Sequence, residues 1–283
     1  MNYTLTLSQC HHWDVTAAPE RHWWLKTIST LFTLTPGEIT DSGSIIISPL
    51  LPDDPNRSDD WQVFGNQYGT VAINIKRKRI EIGTPDEGSN DPGYLSGEIK
   101  LLVAGISLQL LSAGCLFLHA ATLVLGEHAV LIVVSSGGGK STSPGRVSNP
   151  WSAPGDENCL VIPDGQGRFF VTVLPTASKI ATGEGGLSWN TTIAYPLKAI
   201  CILKQSDTDM IEPMELSKAA VCVIDSFRQA TRYQLILMDK MFRKEILMTS
   251  FGNASDLVRV VPTCLLRTTM TGEFWKDIER AFF

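Results

Sequence analysis

The chain has 283 residues, 43% of them hydrophobic and 19% charged, with a net charge of −5. A chain of that length and balance buries a sizeable core, which excludes a disordered protein. The negative balance excludes a broadly basic nucleic-acid-binding face.

At the start, Met1-Asn-Tyr-Thr-Leu-Thr-Leu7 has neither the charged region nor the long apolar run of a signal peptide. Tyr3–Leu7 alternates as a strand does, and Ser44–Ser48 and Val71–Ile75 are β-branched runs bounded by turn residues. A polar, proline-bearing loop, Leu50 to Asp60, separates them. The basic run Lys76-Arg-Lys-Arg79 follows an alternating stretch and reads as a solvated strand end. Gly83–Gly93 reads as a linker, which divides the chain into a strand-rich domain over 1–90 and a second domain over 94–283.

Beyond the linker, Leu101, Leu102, Ile106, Leu108 and Leu111 are spaced as on a helix with a broad apolar face. The most apolar stretch, Ile99–Leu111, is interrupted by Lys100, Gly105, Ser107 and Gln109 and reads as too short to span a bilayer. A strand pair follows over Cys115–Leu125 and Ala129–Val134, turned at Gly126-Glu127. Asn158–Ile162 and Arg168–Leu174 read as a hairpin, Leu197–Leu203 as a buried strand and Leu216–Gln229 as an amphipathic helix. Tyr233–Met238 and Phe274–Phe283 are late elements. The six cysteines form no CxxC pair and stand in apolar surroundings, as reduced, buried thiols of a cytoplasmic protein do.

The chemistry concentrates at Val134-Ser-Ser-Gly-Gly-Gly-Lys-Ser-Thr142. Successive glycines let backbone N–H groups approach phosphate oxygens, Lys140 supplies a point charge, and the Ser141 hydroxyl suits Mg²⁺. The Walker A pattern has a glycine where Val134 stands, and a glycine-rich turn after a strand is the plainer reading. Two further groups flank this loop. His119 lies on the preceding strand, in Phe117-Leu-His-Ala-Ala121, and the pair Asp156-Glu157 lies fifteen residues past Ser141, leading into a strand. Acidic groups beside a phosphate loop hold Mg²⁺ or take a proton from an acceptor hydroxyl. Taken singly, His119 reads as a core residue and Asp156-Glu157 as a turn.

Taken together, Leu118-His-Ala-Ala121, a hairpin, Ser136-Gly-Gly-Gly-Lys-Ser-Thr142 and an acidic pair resemble the catalytic half of HPr kinase/phosphorylase and its relatives. Those share an α/β fold with phosphoenolpyruvate carboxykinase. Within that group, Gly145-Arg-Val-Ser-Asn-Pro-Trp151, Gly155-Asp-Glu-Asn-Cys-Leu160, Asp164-Gly-Gln-Gly-Arg168 and Leu174-Pro-Thr-Ala-Ser-Lys179 resemble the HPr-kinase-like protein of the SynChlorMet cassette. Tyr195–Leu203 and Ile211–Leu216 fit it as well, and the resemblance covers roughly residues 95–283.

The resemblance implies an α/β P-loop core with a small strand-rich N-terminal domain. It implies that Ser136, Gly137, Gly138, Gly139, Lys140, Ser141 and Thr142 hold the phosphates of ATP or GTP, with Mg²⁺ on Ser141 and Asp156. His119, Lys140, Asp156 and Glu157 are then the catalytic group, with Asp156 as metal ligand or as base. Three positions depart from the family: Glu157 replaces a second aspartate, Ala177 a tryptophan, and Val134 the first loop glycine. The implied activity is transfer of a γ-phosphoryl group to a Ser or Thr hydroxyl of a precursor peptide. The implied partners are that peptide, radical S-adenosylmethionine enzymes and further copies of the chain, with no nucleic acid and no membrane. A nucleotide-binding scaffold without catalysis and a small-molecule kinase are the alternatives.

Overall fold

A computed structural model describes residues 2–8, 10–37, 43–49, 51, 60–85, 91–134 and 144–283. Among the described residues it is a mixed α/β structure with two sheets and six α-helices. The chain divides into two compact units: Met1–Ser112 with Leu174–Ile193 and Tyr233–Arg243, and Ala113–Val173 with Ala194–Arg232 and Lys244–Phe283.

The first unit holds β1 (Tyr3–Leu7), β2 (His11–Ala17), β3 (Thr35–Pro36), β4 (Gly43–Ser48), β5 (Trp61–Asn66), β6 (Gly69–Asn74) and β7 (Arg79–Gly83). They form one seven-stranded sheet in the order β3-β1-β2-β4-β7-β6-β5, in which β2, β4 and β7 run parallel. The strands of the sequence reading over Tyr3–Leu7, Ser44–Ser48 and Val71–Ile75 are β1, β4 and β6. Helix α1 (His22–Leu31) escaped that reading, because its tryptophans and β-branched residues favour strands as readily as helices.

Helix α2 (Pro92–Leu111) is capped by Asp91, whose carboxylate accepts from the N–H groups of Gly93 at 2.7 Å and Tyr94 at 3.0 Å. From Ser96 to Leu111 every residue except Lys100 is buried, so the helix is enclosed on nearly all sides instead of showing one broad apolar face. It approaches β6 and β7 closely. A Cβ on Gly97 would collide with the ring of Tyr68. With twenty residues, α2 is long and apolar enough to cross a membrane, which the interrupted stretch Ile99–Leu111 did not suggest; most of it is buried inside the structure. The short α3 (Ala177–Ala181) lies against it, and Ser96 Oγ donates to the Ala177 carbonyl at 2.8 Å.

The carboxyl ends of β2, β4 and β7 are closed by side chains. Arg21 is fully buried and donates to the carbonyls of Thr84, at 2.7 Å, and Pro85. Beside it Trp24 Nε1 donates to Glu98 Oε2 at 2.6 Å. Burial pushes the Glu98 carboxyl up to about 7, against the opposing pull of the Trp24 bond and the Arg21 charge.

The second unit carries β8 (Leu116–Leu118), β9 (Ala120–Leu125), β10 (His128–Val134), β11 (Trp151–Gly155), β12 (Cys159–Pro163), β13 (Phe169–Val173), β14 (Tyr195–Gln205), β15 (Met210–Pro213) and β16 (Thr263–Thr268). These nine form the second sheet, whose main path is β11-β9-β10-β14-β13-β12-β8, with β16 on β14 and β15 on β16. Strands β10, β14 and β16 are parallel. Helix α6 (Phe274–Phe282) seals one face, where Phe274, Trp275 and Ile278 join Leu123, Ile132, Cys201 and Leu266 in one buried cluster. Of the element expected over Tyr233–Met238, the residues up to Leu237 continue α4 (Leu216–Leu237) instead of forming a separate element. Helix α5 (Lys240–Val260) and β16 were not anticipated.

Four cysteines, 115, 159, 201 and 264, are buried, Cys222 is half-buried and Cys10 is exposed. The burial expected for all six therefore fails at Cys10, which sits in the β1–β2 turn with its thiol 3.1 Å from the Ser8 carbonyl. Cys201 and Cys264 face each other in register on β14 and β16, with Sγ atoms 3.5 Å apart.

Candidate active site

The strand read as one run over Cys115–Leu125 is two strands. Leu116, Phe117 and Leu118 of β8 pair with Val161, Leu160 and Cys159 of β12. One residue later the chain changes partners, and β9 pairs with β10 on one side and β11 on the other. His119 is the residue at which the change occurs.

The acidic pair lies at the matching point on the facing chain. Gly155, the last residue of β11, stands opposite Thr122 of β9, and Cys159, the first of β12, stands opposite Leu118 of β8. Asp156 and Glu157 therefore occupy the turn that faces the His119 crossing. Gly155 is required there: a Cβ would lie 2.7 Å from Val173 Cγ1. Strand β11 is irregular between Ser152 and Gly155, where Pro154 has no N–H to give to a ladder.

The third component is the end of β10. Val133 pairs with Ala120, so Val134, the next and last residue of β10, comes level with His119 while it pairs with Leu203 of β14. The proposed phosphate loop begins directly after it. Ser136, Gly137, Gly138, Gly139, Lys140, Ser141 and Thr142 lie outside the described residues. Val134, at the Walker glycine position, is the last residue of β10 and is buried in the sheet's core.

The edge reached in this way is the carboxyl edge of β10, β14 and β16, where open parallel α/β sheets place their ligands. Arg146, eight residues after Gly138, is fastened to the same edge. Its guanidinium donates to the carbonyls of Thr269, at 3.1 Å, and Gly272, and lies 5.2 Å over the Phe274 ring. The turn after β16 is held from its other side by Asp209, which accepts from the Thr269 N–H at 2.6 Å. Sequence reading did not single out Arg146, since one arginine in a polar loop carries no pattern.

His119, Asp156 and Glu157 are each half-buried. Two carboxyl groups on one turn match the way Mg²⁺ is held beside phosphates, by one or two carboxylates with the remaining positions on substrate and water. Among the described residues there is no group of three or more His, Cys, Asp or Glu side chains suited to hold a metal alone. A Mg²⁺ at this turn would draw its remaining ligands from phosphate and water.

Helices α4 and α5 hold the crossing strand from behind. The His119 N–H donates to the Ser226 carbonyl at 3.3 Å, Ser226 Oγ donates to the His119 carbonyl at 3.1 Å, and Asn253 Nδ2 donates to the Cys115 carbonyl at 3.2 Å.

No curated relative matches the chain. The family model described as SynChlorMet cassette protein ScmC matches residues 94–283, which begins at the head of α2 and takes in His119, the 135–143 segment and Asp156-Glu157. The chain belongs to the SynChlorMet cassette protein ScmC family.

Proposed function

We propose that the chain is a P-loop kinase of the HPr-kinase type that phosphorylates a Ser or Thr hydroxyl of a peptide, a ribosomal precursor of a modified natural product. The observation that carries this reading is the convergence of His119, Asp156-Glu157 and the end of β10 at one edge of a mixed sheet, where β10, β14 and β16 run parallel. Groups 37 residues apart in the chain meet only because both strands change partners at the same level.

In this reading the acceptor oxygen forms a bond to the γ-phosphorus while the bond from that phosphorus to the β-bridging oxygen breaks. The acceptor proton passes to the Asp156 carboxylate, and the nucleoside diphosphate leaves. Lys140 and the loop N–H groups neutralise phosphate charge, and His119 lies against the transferred group. Ser141 would hold Mg²⁺, with Asp156 as a second ligand in the alternative where that carboxylate is not the base, and the metal would supply further charge neutralisation. Catalysis by positioning and electrostatics asks little else of the protein. ATP and GTP suit these groups equally. A nucleotide-dependent reaction on a ribosomal peptide belongs in the cytoplasm, upstream or downstream of the radical enzymes that share the peptide, and further copies of the chain are part of the same reading.

A second reading is favoured by Val134. A buried strand residue at the first glycine position lets the phosphate loop begin only after β10 has ended, which suits a scaffold that binds nucleotide and presents a peptide without transfer. The test incubates full-length protein with labelled ATP, Mg²⁺ and candidate precursor peptides, with Lys140→Ala as control. Label on the peptide that disappears in Lys140→Ala supports the kinase. Nucleotide binding without transfer to peptide, free serine or sugar supports the scaffold, and transfer to a small hydroxyl compound alone makes the chain a small-molecule kinase.

A further inference from the structure

We infer that Ser226 is a positioning residue for His119, a role that rests on the phosphoryl-transfer reading given above. His119 stands alone between β8 and β9, where the chain leaves one set of ladder bonds for another. A backbone at such a crossing needs partners from outside the sheet, since a buried N–H or C=O left unpaired is costly. Ser226 supplies both. Its carbonyl accepts the His119 N–H at 3.3 Å, and its hydroxyl donates to the His119 carbonyl at 3.1 Å.

Reciprocal bonds from one residue fix the peptide planes on both sides of His119, which a single bond would not. Ser226 itself is fully buried, which limits the competition of water for its hydroxyl. The other end of the short strand is held in the same manner by Asn253 on the Cys115 carbonyl. Strand β8 is three residues long, so these side-chain bonds set its course as much as its ladder does. The direction of the Cα–Cβ bond of His119, from which the imidazole extends, follows from that backbone.

A mid-helix serine ordinarily turns its hydroxyl back to its own helix. Here the hydroxyl reaches a residue 107 positions away in sequence, which is why no local pattern announces it.

The test compares wild type, Ser226→Ala, His119→Ala and the double variant in the full-length chain. The readouts are the NMR titration of the His119 ring, hydrogen exchange at its amide, and transfer kinetics. Ser226→Ala should speed exchange at the His119 amide about tenfold and move the ring's titration midpoint. It should lower kcat about tenfold to a hundredfold with the nucleotide KM nearly unchanged, the scale of loss when a reacting group is displaced. Ser226→Thr, which keeps the hydroxyl, should recover part of kcat. With His119 already removed, Ser226→Ala should add little, because the two act as one unit.

Unchanged His119 titration and exchange in Ser226→Ala, or losses that simply add in the double variant, would overturn the inference. If Ser226→Ala unfolds, Ser226→Cys carries the same comparison with a weaker donor of similar size. If the wild-type chain transfers no phosphate to any hydroxyl, the functional reading falls, and titration and exchange, which need no turnover, still decide the role of Ser226.

Discussion

Each unit contains three adjacent parallel strands, and the two sets treat their carboxyl ends in opposite ways. In the first unit, β2, β4 and β7 run into Arg21, whose buried guanidinium occupies the carbonyls that follow β7, with the Trp24–Glu98 pair beside it. In the second, β10 leads into the 135–143 segment and β16 into the turn tied down by Arg146, and β11 brings the acidic turn to the same edge. The same architectural position is a plug in one unit and a candidate site in the other. Parallel pairing offers an edge where backbone and side chains can converge on a ligand; whether it becomes a site depends on what fills it.

The sharpest way to break this contrast is to unplug the first edge. Arg21→Ala strands the carbonyls of Thr84 and Pro85 and takes a cation from near Glu98. Loss of one partner from a buried charged network costs about 3–5 kcal/mol, which urea unfolding would report. A loss below about 1 kcal/mol would mean that Arg21 is not what closes this edge.

On the second edge the substitution should spare the fold and remove the chemistry. Asp156→Asn is expected to keep nucleotide binding and slow transfer by roughly 10²–10⁴-fold, the range for a general acid–base group. Glu157→Gln should cost less. Single-turnover transfer measures both, and a dead Glu157→Gln beside a nearly normal Asp156→Asn would reverse the two roles.

The third prediction concerns pH. Glu98 titrates near 7 in the folded chain, above its unfolded value of 4.5. The folded state therefore holds the proton more tightly than the unfolded one does. The stability this contributes is fully present below pH 4.5 and is lost as pH rises through 7. The change is at most about 3 kcal/mol. Glu98→Gln should flatten the wild-type fall in melting temperature between pH 5 and 7; an equal slope in both proteins would show that Glu98 does not govern it. The smallest effect is expected at the α2 cap. Asp91→Ala removes two accepted hydrogen bonds and should lower stability by about 1 kcal/mol in the same unfolding assay.

What could be read from sequence was what repeats along the chain. Alternation marked β1, β-branched runs marked β4 and β6, the long apolar spacing marked α2, and turn residues marked the β12–β13 hairpin. What could not be read was where partners change. The run from Cys115 to Leu125 carries no glycine, proline or turn signal, and a single histidine in a strand is no break signal, so the sequence does not divide β8 from β9 at His119. Helix α5 eluded the periodic reading because Met248 and Phe251 are exposed while Ile246 and Leu257 are buried, so its apolar residues follow no single stripe. The acidic turn and the histidine were recognisable as chemistry, and their placement opposite each other follows from register alone. Arg146 and Ser226 were illegible because each acts on a backbone carbonyl far away in sequence.

The irregularity of β11 reaches beyond the turn it leads into. A sheet that ends in a straight strand presents a row of unused donors and acceptors to any other extended chain. Strand β11 ends the main path of the nine-stranded sheet, and within it Pro154 offers no donor while the register slip bends the strand away from a straight edge. The residues that lead the chain toward Asp156 thus also deny a docking line to neighbouring molecules. Under the proposed peptide-kinase reading that denial would matter, since a substrate would have to meet the acidic turn, not lengthen the sheet.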